Sequence, residues 1–558
     1  MKPLHVTDYL SRELRAALRR AGLQEPSGLV WEVPKDERHG DYSTNVAMVL
    51  AKSARQPPRQ VAELILGHFS CHPEVEQVEH VEVAGPGFLN VFLDPAWCRK
   101  ALKGILKAGQ TYGRGKQGKG CRVQIEFVSA NPTGPLVVVN ARAAAVGDSL
   151  ARILAAQGYR VFREYYVNDA GNQVHTLARS LEIRIRQRLG EKVELPENAY
   201  PGEYLVELAG KYMGGRRLTR KALAALGMRE SLDRLGRFAV RRIMVDQRRV
   251  LRAYGVEFDN WFRESQLRGG GEPARVLERL RKRGYVYEAE GATWFRSTAL
   301  GDDKDRVLVK SDGEATYFIN DIAYHVDKIE RGLQRIIDLW GPDHHGHMPR
   351  MKAALKALGY SEEILDVLIV QLVTLLREGQ PVRMSKRMGE FVTMEELIDE
   401  VGRDAARFTF LTRRHDSPMD FDLEVVTRQS SENPVYYVQY AHARISSIFK
   451  ELRKRKRRVP DWGRVNLESL TLPDEMSLIK RLLQFPHVVA AATRALEPHR
   501  IAYYLQELAG LFHPYYRSHR VVGDDLALTN ARLALAAGVG LVVRNGLDLL
   551  GVSAPEKM

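Results

Sequence analysis

Two stretches of this sequence hold residues suited to handling phosphate. The first runs IEFVSANPTGPLVVVN from Ile125 to Asn140. It puts a turn and a helix start after a run of β-formers, and α/β folds bind nucleotides there on backbone N–H groups and the helix dipole. The second is Arg383-Met384-Ser385-Lys386-Arg387, basic residues with a small hydroxyl in a loop, suited to clamping the charge that develops on pyrophosphate. A third stretch, Asp343-His344-His345-Gly346-His347, offers residue types that ligate metals, or else the wall of a binding site. Near the carboxyl end, Tyr436, Tyr437, Tyr440, His442 and Arg444 set aromatics beside basic groups, which can stack on and clamp unpaired bases. The same pattern also serves a buried aromatic stripe.

The elements that would position these residues can be read from periodicity. RVQIEFVSA (122–130) reads as a strand buried on both faces of a parallel sheet. Val146, Leu150, Ile153 and Leu154 follow helical spacing, and Gly158 sits where a helix ends. YRVFREYYVND then reads as a second strand, so the unit is βαβ. Upstream, residues 1–115 read as an α+β unit in which VEHVEVAGPGFLNVFLD turns at Gly85-Pro86-Gly87. The run YGRGKQGKG (112–120) reads as a linker. Residues from about 175 to 285 read as a mostly helical, Arg-rich insertion. β-rich character returns in ATWFRST, DRVLVKS, ATYFIND and RIIDLWG. From Leu397 the pattern is helical almost to the end, and the charge run Lys450–Arg458 reads as a solvated helix end.

Length bounds the architecture. A chain of 558 residues is too long for one core. The formal net charge of +15 fits a polyanionic partner, because neutralised phosphates release counterions. Cys71, Cys98 and Cys121 form no Cys-x-x-Cys pair, which argues against a disulfide framework and for a reducing cytoplasm. The apolar run Leu533–Val543 is too short to cross a bilayer, and no secretory leader is evident.

In this order the first two stretches resemble the His-x-Gly-His signature and the Lys-Met-Ser-Lys-Ser loop of class I aminoacyl-tRNA synthetases. The flanks are similar to the bacterial arginyl-tRNA synthetases in particular. VPKDERHGDYSTNVAMVLAK (33–52) and AGPGFLNVFL (84–93) resemble their N-terminal domain. EFVSANPTGP, EYYVNDAGNQ, GDDKDRVLVKSDGEATYFINDIAYHVDK and WGPDHHGHMPRMKAAL resemble their catalytic domain. SSENPVYYVQYAHARISSIF (430–449) and the terminal GVSAPEKM resemble their anticodon-binding domain.

The resemblance implies a parallel-sheet α/β catalytic domain (116–395) with a helical insertion, an N-terminal α+β domain (1–115) and an all-helical C-terminal bundle (396–558). It implies ATP-dependent attachment of L-arginine to tRNA(Arg), with Mg²⁺ accompanying ATP, in a cytoplasmic monomer away from membranes. Glu126, Ser129, Asn131, Tyr317, Asp321 and Asp343 are the implied arginine contacts; a guanidinium selects acidic, planar acceptors. Tyr317 and Asp321 share one face if their stretch is helical. Glu126, in an otherwise apolar strand, needs either the ligand or a structural ion pair with a local arginine. Pro132, Thr133, Gly134, Asn140, His344, His345 and Met384 are the implied ATP contacts. Asn140, Arg383, Ser385 and Lys386 are the implied catalytic residues. No protein-held metal is implied. Asn45, Tyr440 and Arg444 are the implied tRNA contacts, and the segment around His39 and Asp41 is expected to face the tRNA elbow.

The signature itself departs from the family pattern, reading Val137-Val138-Val139-Asn140. Asn140 can still donate a hydrogen bond, Val137 cannot, and the β-branched Val139 replaces a glycine that admits adenine. Two readings follow: an active enzyme that shifts phosphate stabilisation onto Lys386, Arg383, backbone amides and His344 or His345, and a catalytically silent tRNA-binding paralogue. A more distant third is an ATP-dependent ligase that adenylates a different amino acid without tRNA.

Overall fold

The computed structural model describes residues 6–26, 28–34, 36–69, 77–214, 229–344, 346–382 and 392–558, the side chains of Glu37 and Arg268 apart. At the amino end, helices α1 (Val6–Arg20), α2 (Val46–Ala54) and α3 (Pro58–His68) pack with an antiparallel sheet of order β1-β3-β2. Its strands are β1 (Tyr42–Thr44), β2 (Val78–Ala84) and β3 (Phe88–Leu93), with the expected turn at 85–87. Helix α4 (Pro95–Ala108) follows, capped by the Asp94 side chain. The glycine run after it is a fitted joint rather than a loose linker. A Cβ on Gly113 would lie 2.4 Å from the Phe485 ring, and the Tyr112 hydroxyl donates to the Leu482 carbonyl.

The central sheet is parallel, of order β11-β10-β4-β5-β6. Its strands are β4 (Arg122–Glu126), β5 (Arg160–Val167), β6 (Asn260–Arg263), β10 (Arg335–Trp340) and β11 (Leu365–Ile369). Alternation along β10 sends Ile337 and Leu339 to one core and Ile336 to the other, as a sheet covered on both faces requires. Helix α5 (Val138–Ala156) covers the first face so closely that a Cβ on Gly147 would meet Phe127 at 2.2 Å. It ends where expected, with Gly158 at φ +83°.

Helices α6 (Asn172–Arg188), α7 (Tyr204–Met213) and α8 (Arg229–Ala253) form the helical insertion, yet β6 interrupts it before α9 (Glu264–Gly270) and α10 (Glu272–Lys282). Four residues of strand are too short to show a period-2 signal. A small antiparallel sheet of β7 (Val286–Ala289), β8 (Ala292–Phe295) and β9 (Arg306–Val309) comes next. ATYFIND, expected to be β-rich, instead opens helix α11 (Tyr317–Glu330). Phe318, Ile319, Ile322, Ala323 and Val326 are all buried there, a 3.6-residue stripe that only the full length reveals. Helix α12 (His347–Ala357) packs beside it.

Past the central sheet, β12 (Val373–Arg377) pairs with β13 (Gln380–Pro381) and, in parallel, with β14 (Met419–Asp422). A strand thus lies within the stretch expected to be helical from Leu397, between α14 (Arg403–Phe410, after α13, Met394–Val401) and α15 (Leu423–Thr427). Met419 and Phe421 turn inward and Asp420 outward. Two buried arginines tie these parts together. Arg142 Nη1 donates to Gln371 O (2.9 Å) and Leu372 O (3.3 Å), and Nη2 to Arg414 O and Ser417 O (both 2.7 Å). Arg407 pairs with Asp148 at 2.6 Å and donates to the Tyr254 and Leu550 carbonyls.

The carboxyl end is a bundle of α16 (Pro434–Lys454), α17 (Pro473–Ala495), α18 (His499–Ser518) and α19 (Leu526–Leu549). The apolar run near the end belongs to α19, which is longer than the run itself. By length and composition that helix could cross a membrane, but it packs against α4, α16, α17 and α18. The charge run at 450–458 is indeed a helix end, where Arg455 pairs with Glu451.

Candidate active site

The carboxyl ends of β4 and β10 lie side by side, and the chain leaves β4 through a strained turn. Val128 and Ser129 take φ values of 69° and 37°, left-handed conformations that cost about 1–3 kcal/mol each in non-glycine residues. The turn aims the Ser129 hydroxyl at Glu126 Oε1 (2.9 Å), while its oxygen accepts the Tyr166 N–H (3.0 Å). The following loop is gripped from outside. Gln247 Nε2 donates to Gly134 O (2.9 Å) and Asn131 O (3.3 Å), and Tyr204 donates to Thr133 O at 2.5 Å. The Tyr165 hydroxyl lies 3.0 Å from Ala130 O and 2.9 Å from Gln247 Oε1. Pro132 is buried, Thr133 and Gly134 are half-buried, and Asn131 is exposed.

At the start of α5, Asn140 Oδ1 accepts the Val137 N–H at 2.9 Å. Among the described residues its Nδ2 has no partner, so that group is the donor left for a ligand. Val137 also forms an isolated antiparallel bridge with Thr393, and Met394 N–H donates to Leu136 O at 2.8 Å. Thr393 in turn caps α13 in a reciprocal box with Glu396. The fold therefore brings the segment following the basic loop to the amino end of α5. Arg383, Met384, Ser385 and Lys386 themselves, like His345, lie outside the described residues.

Beneath the turn lies a buried charge network. Lys328 Nζ, fully buried on α11, contacts Glu126 Oε2 at 2.8 Å and Asp338 Oδ1 at 2.9 Å. Asp338 also meets His325 Nε2 at 2.9 Å, and His325 Nδ1 lies 2.8 Å from the Asp321 carbonyl. Nearby Glu164 is saturated: Arg331, Tyr324, Gln124 and Asn260 all donate to it. Burial alone would raise the Glu164 carboxyl, but Arg331 and its other partners hold it below its ordinary range. Burial likewise works against the Asp338 charge, and Lys328 and His325 reverse that effect. Glu126 differs. Among the described residues it has one cation, Lys328, which it shares with Asp338, and burial raises its carboxyl despite Lys328. A buried carboxylate so poorly compensated can accept a further cation. The structural partner at Glu126 is thus a lysine, where the alternative to the ligand role names a local arginine.

Asp321 and Tyr317 sit one turn apart on α11, as the helical alternative requires. Asp321 Oδ2 lies 3.0 Å from His347 Nε2, and Tyr317 is 63% exposed. Asp343 and His344 are exposed at the turn after β10. Among the described residues, no three His, Cys, Asp or Glu side chains group as metal ligands. Sequence reasoning missed Lys328, Asp338 and Gln247. A lysine inside the apolar stripe of α11 and an aspartate inside β10 were the available signals.

In the bundle, Tyr436 and Tyr440 stack at 5.5 Å. The Arg444 guanidinium lies over Tyr440 (4.3 Å) and Tyr516 (5.3 Å). His513 Nδ1 lies 3.0 Å from Arg444 Nη1, and its Nε2 lies 3.0 Å from the Tyr437 carbonyl. His442 does not join this patch; it is buried against the Pro555 carbonyl and Arg544. Asn45 is exposed at the start of α2. Asp41, expected to face outward, is buried instead, accepting the Leu93 N–H and pairing with Lys480 of α17 at 3.0 Å. It joins the N-terminal domain to the bundle.

These features agree with the chain's likeness to known proteins. Family models match as "Arginyl tRNA synthetase N terminal domain" over residues 8–93, "tRNA synthetases class I (R), catalytic domain" over 101–447 and "DALR anticodon binding domain" over 438–558. An arginine–tRNA ligase of Desulforudis audaxviator is 49% identical, with 98% of each chain covered. One of Moorella thermoacetica is 46% identical over the whole of both chains. The solved arginyl-tRNA synthetase of Thermus thermophilus shares the fold with a TM-score of 0.78, at 23% identity over the full length of both. With relatives this similar along its entire length, the chain belongs to the arginyl-tRNA synthetase family of class I enzymes.

Proposed function

We propose that this protein attaches L-arginine to tRNA(Arg) through an arginyl-adenylate. The observation that carries the reading is Glu126, a buried carboxylate that shares Lys328 with Asp338 at the carboxyl end of the central strand β4, where an α/β fold binds its substrates. A guanidinium supplies further positive charge, with Asp321 as second acceptor and Ser129, Asn131, Tyr317 and Asp343 around it. The arginine carboxylate attacks the α-phosphorus of ATP, and the bond to the β-phosphate breaks to release pyrophosphate. The terminal adenosine 2′ hydroxyl of tRNA then attacks the acyl carbon, and AMP leaves. Neither step needs a protein nucleophile; positioning and electrostatics suffice.

ATP is assigned to Pro132, Thr133, Gly134, Asn140, His344, His345 and Met384, with Arg383, Ser385 and Lys386 on the phosphates. Mg²⁺ arrives with ATP, held mainly by phosphate oxygens. Tyr440, Arg444 and Asn45 contact the tRNA. A monomer in the cytoplasm completes the proposal, and the free Cys98 and Cys121 suit a reducing compartment.

Arginine-dependent exchange of pyrophosphate into ATP, run with and without tRNA(Arg), tests it. Exchange is expected. Its absence in both conditions, with tRNA binding intact, supports the silent paralogue instead. Asp321→Ala is expected to abolish arginine use while leaving tRNA affinity nearly unchanged.

A further inference from the structure

The loop after the strained turn at Val128 and Ser129 reads Ala130-Asn131-Pro132-Thr133-Gly134-Pro135. Its prolines carry no N–H, and the carbonyls that precede them both go to one side chain. Gln247 Nε2 donates to Asn131 O at 3.3 Å and to Gly134 O at 2.9 Å. Gln247 lies on α8, in the helical insertion rather than the sheet, and is 2% exposed. Its Oε1 faces the Tyr165 hydroxyl at 2.9 Å, so both amide protons and the acceptor are engaged. That contact also fixes which way the amide points, since the reversed amide would aim its oxygen at two carbonyls.

Two tyrosines take the carbonyls between. Ala130 O lies 3.0 Å from the Tyr165 hydroxyl, and Thr133 O lies 2.5 Å from that of Tyr204 on α7. In a planar trans peptide the N–H opposes the preceding carbonyl. The N–H groups of Asn131 and Gly134 therefore point away from the tyrosines, and neither meets an acceptor among the described residues. The loop is held by its carbonyls, which leaves these donors for a ligand oxygen. Left-handed residues such as Val128 and Ser129 persist where their surroundings over-determine them. Among the described residues only Gln247 holds two carbonyls of the loop at once.

Resting on the ligase reading above, we infer that Gln247 is a positioning residue for arginine activation. It touches neither substrate in that reading. It sets the spacing between Asn131, assigned to arginine, and Gly134, assigned to ATP, and with it the approach of the arginine carboxylate to the α-phosphorus.

The test is pyrophosphate exchange by the full-length chain with tRNA(Arg) present, with KM for arginine and for ATP measured separately. Melting followed by circular dichroism keeps each assay on folded protein. Gln247→Leu keeps most of the buried volume and loses both donors. Each KM is expected to rise about tenfold, the worth of roughly one hydrogen bond per substrate. Gln247→Glu is closer in shape, but once ionised at pH 8 it offers the carbonyls no donor, so both KM values are expected to rise at least as far. A role in packing alone lowers kcat with the folded fraction and leaves both KM values where they were. An unchanged KM for either substrate in Gln247→Leu overturns the proposal, as does a Gln247→Glu enzyme that behaves as the wild type. Wild-type exchange is the control for the ligase reading; without it, that reading fails first and the positioning role with it.

Discussion

Replacing Lys328 with Met isolates the role of the charge buried under the candidate arginine pocket. The methionine keeps the length and most of the volume of the lysine stem, so packing changes little. What disappears is a cation 2.8 Å from Glu126 and 2.9 Å from Asp338, both carboxylates being buried. Breaking a buried pair by removing one partner costs about 3–5 kcal/mol, because the remaining charge stays in the interior. At 2–4 °C per kcal/mol for a domain of this size, the catalytic domain should melt roughly 6–20 °C lower. The loss carries a pH signature. Without Lys328 both carboxyls titrate higher when folded than when unfolded. Their penalty is therefore absent once they are protonated and grows as pH rises through the folded values. Thermal unfolding followed by circular dichroism from pH 5 to 8 should show a deficit that widens with pH. Adding Asp338→Leu removes one stranded carboxylate and should recover part of it. A variant that melts within 2 °C of the wild type at every pH would refute the network as the support of Glu126.

Two further perturbations address other parts of the molecule. Asn140→Asp keeps the acceptor for the Val137 N–H but removes the Nδ2 donor, whereas Asn140→Ala removes both. Each should slow pyrophosphate exchange by about 10²–10³ if Nδ2 serves ATP, and only the alanine variant should also lose about 1 kcal/mol of cap stability. Exchange at the wild-type rate in Asn140→Asp would remove Asn140 from the ATP site. His487, between the bundle and the N-terminal domain, is pushed down to about 4 by burial and by Arg494 and Arg500. The unfolded chain binds that proton more readily, so the stability it contributes is complete above pH 6.5 and is lost as pH falls toward 4. The ceiling is about 3 kcal/mol, lowered by solvent at the cleft. Urea unfolding across that range should show the fall, and His487→Leu should flatten it.

Much of this architecture was legible because local pattern and tertiary need agree. The strand at 122–126, the helix at 138–156 and the glycine that closes it each obey one period and one stop signal. ATYFIND misled because seven residues rich in β-formers say nothing of the helical stripe that continues to Val326. The charge network was invisible for another reason: Lys328 meets Glu126 across 202 positions of sequence, and only the pairing of β4 with β10 places Asp338 beside both. The same limit applies at Val137. Read as side chains, the valines there only subtract donors. In the fold the backbone N–H of Val137 is spent on Asn140, and the bridge to Thr393 ties this helix start to the segment that follows the basic loop. Under the proposed function, the side-chain donor left at this helix start is Asn140 Nδ2. Restoring a histidine at 137 would add a donor without disturbing a backbone already in use. A Val137→His variant whose exchange rate stays within about tenfold of the wild type would show that the missing donor has been replaced, since an uncompensated loss costs about 10²–10³.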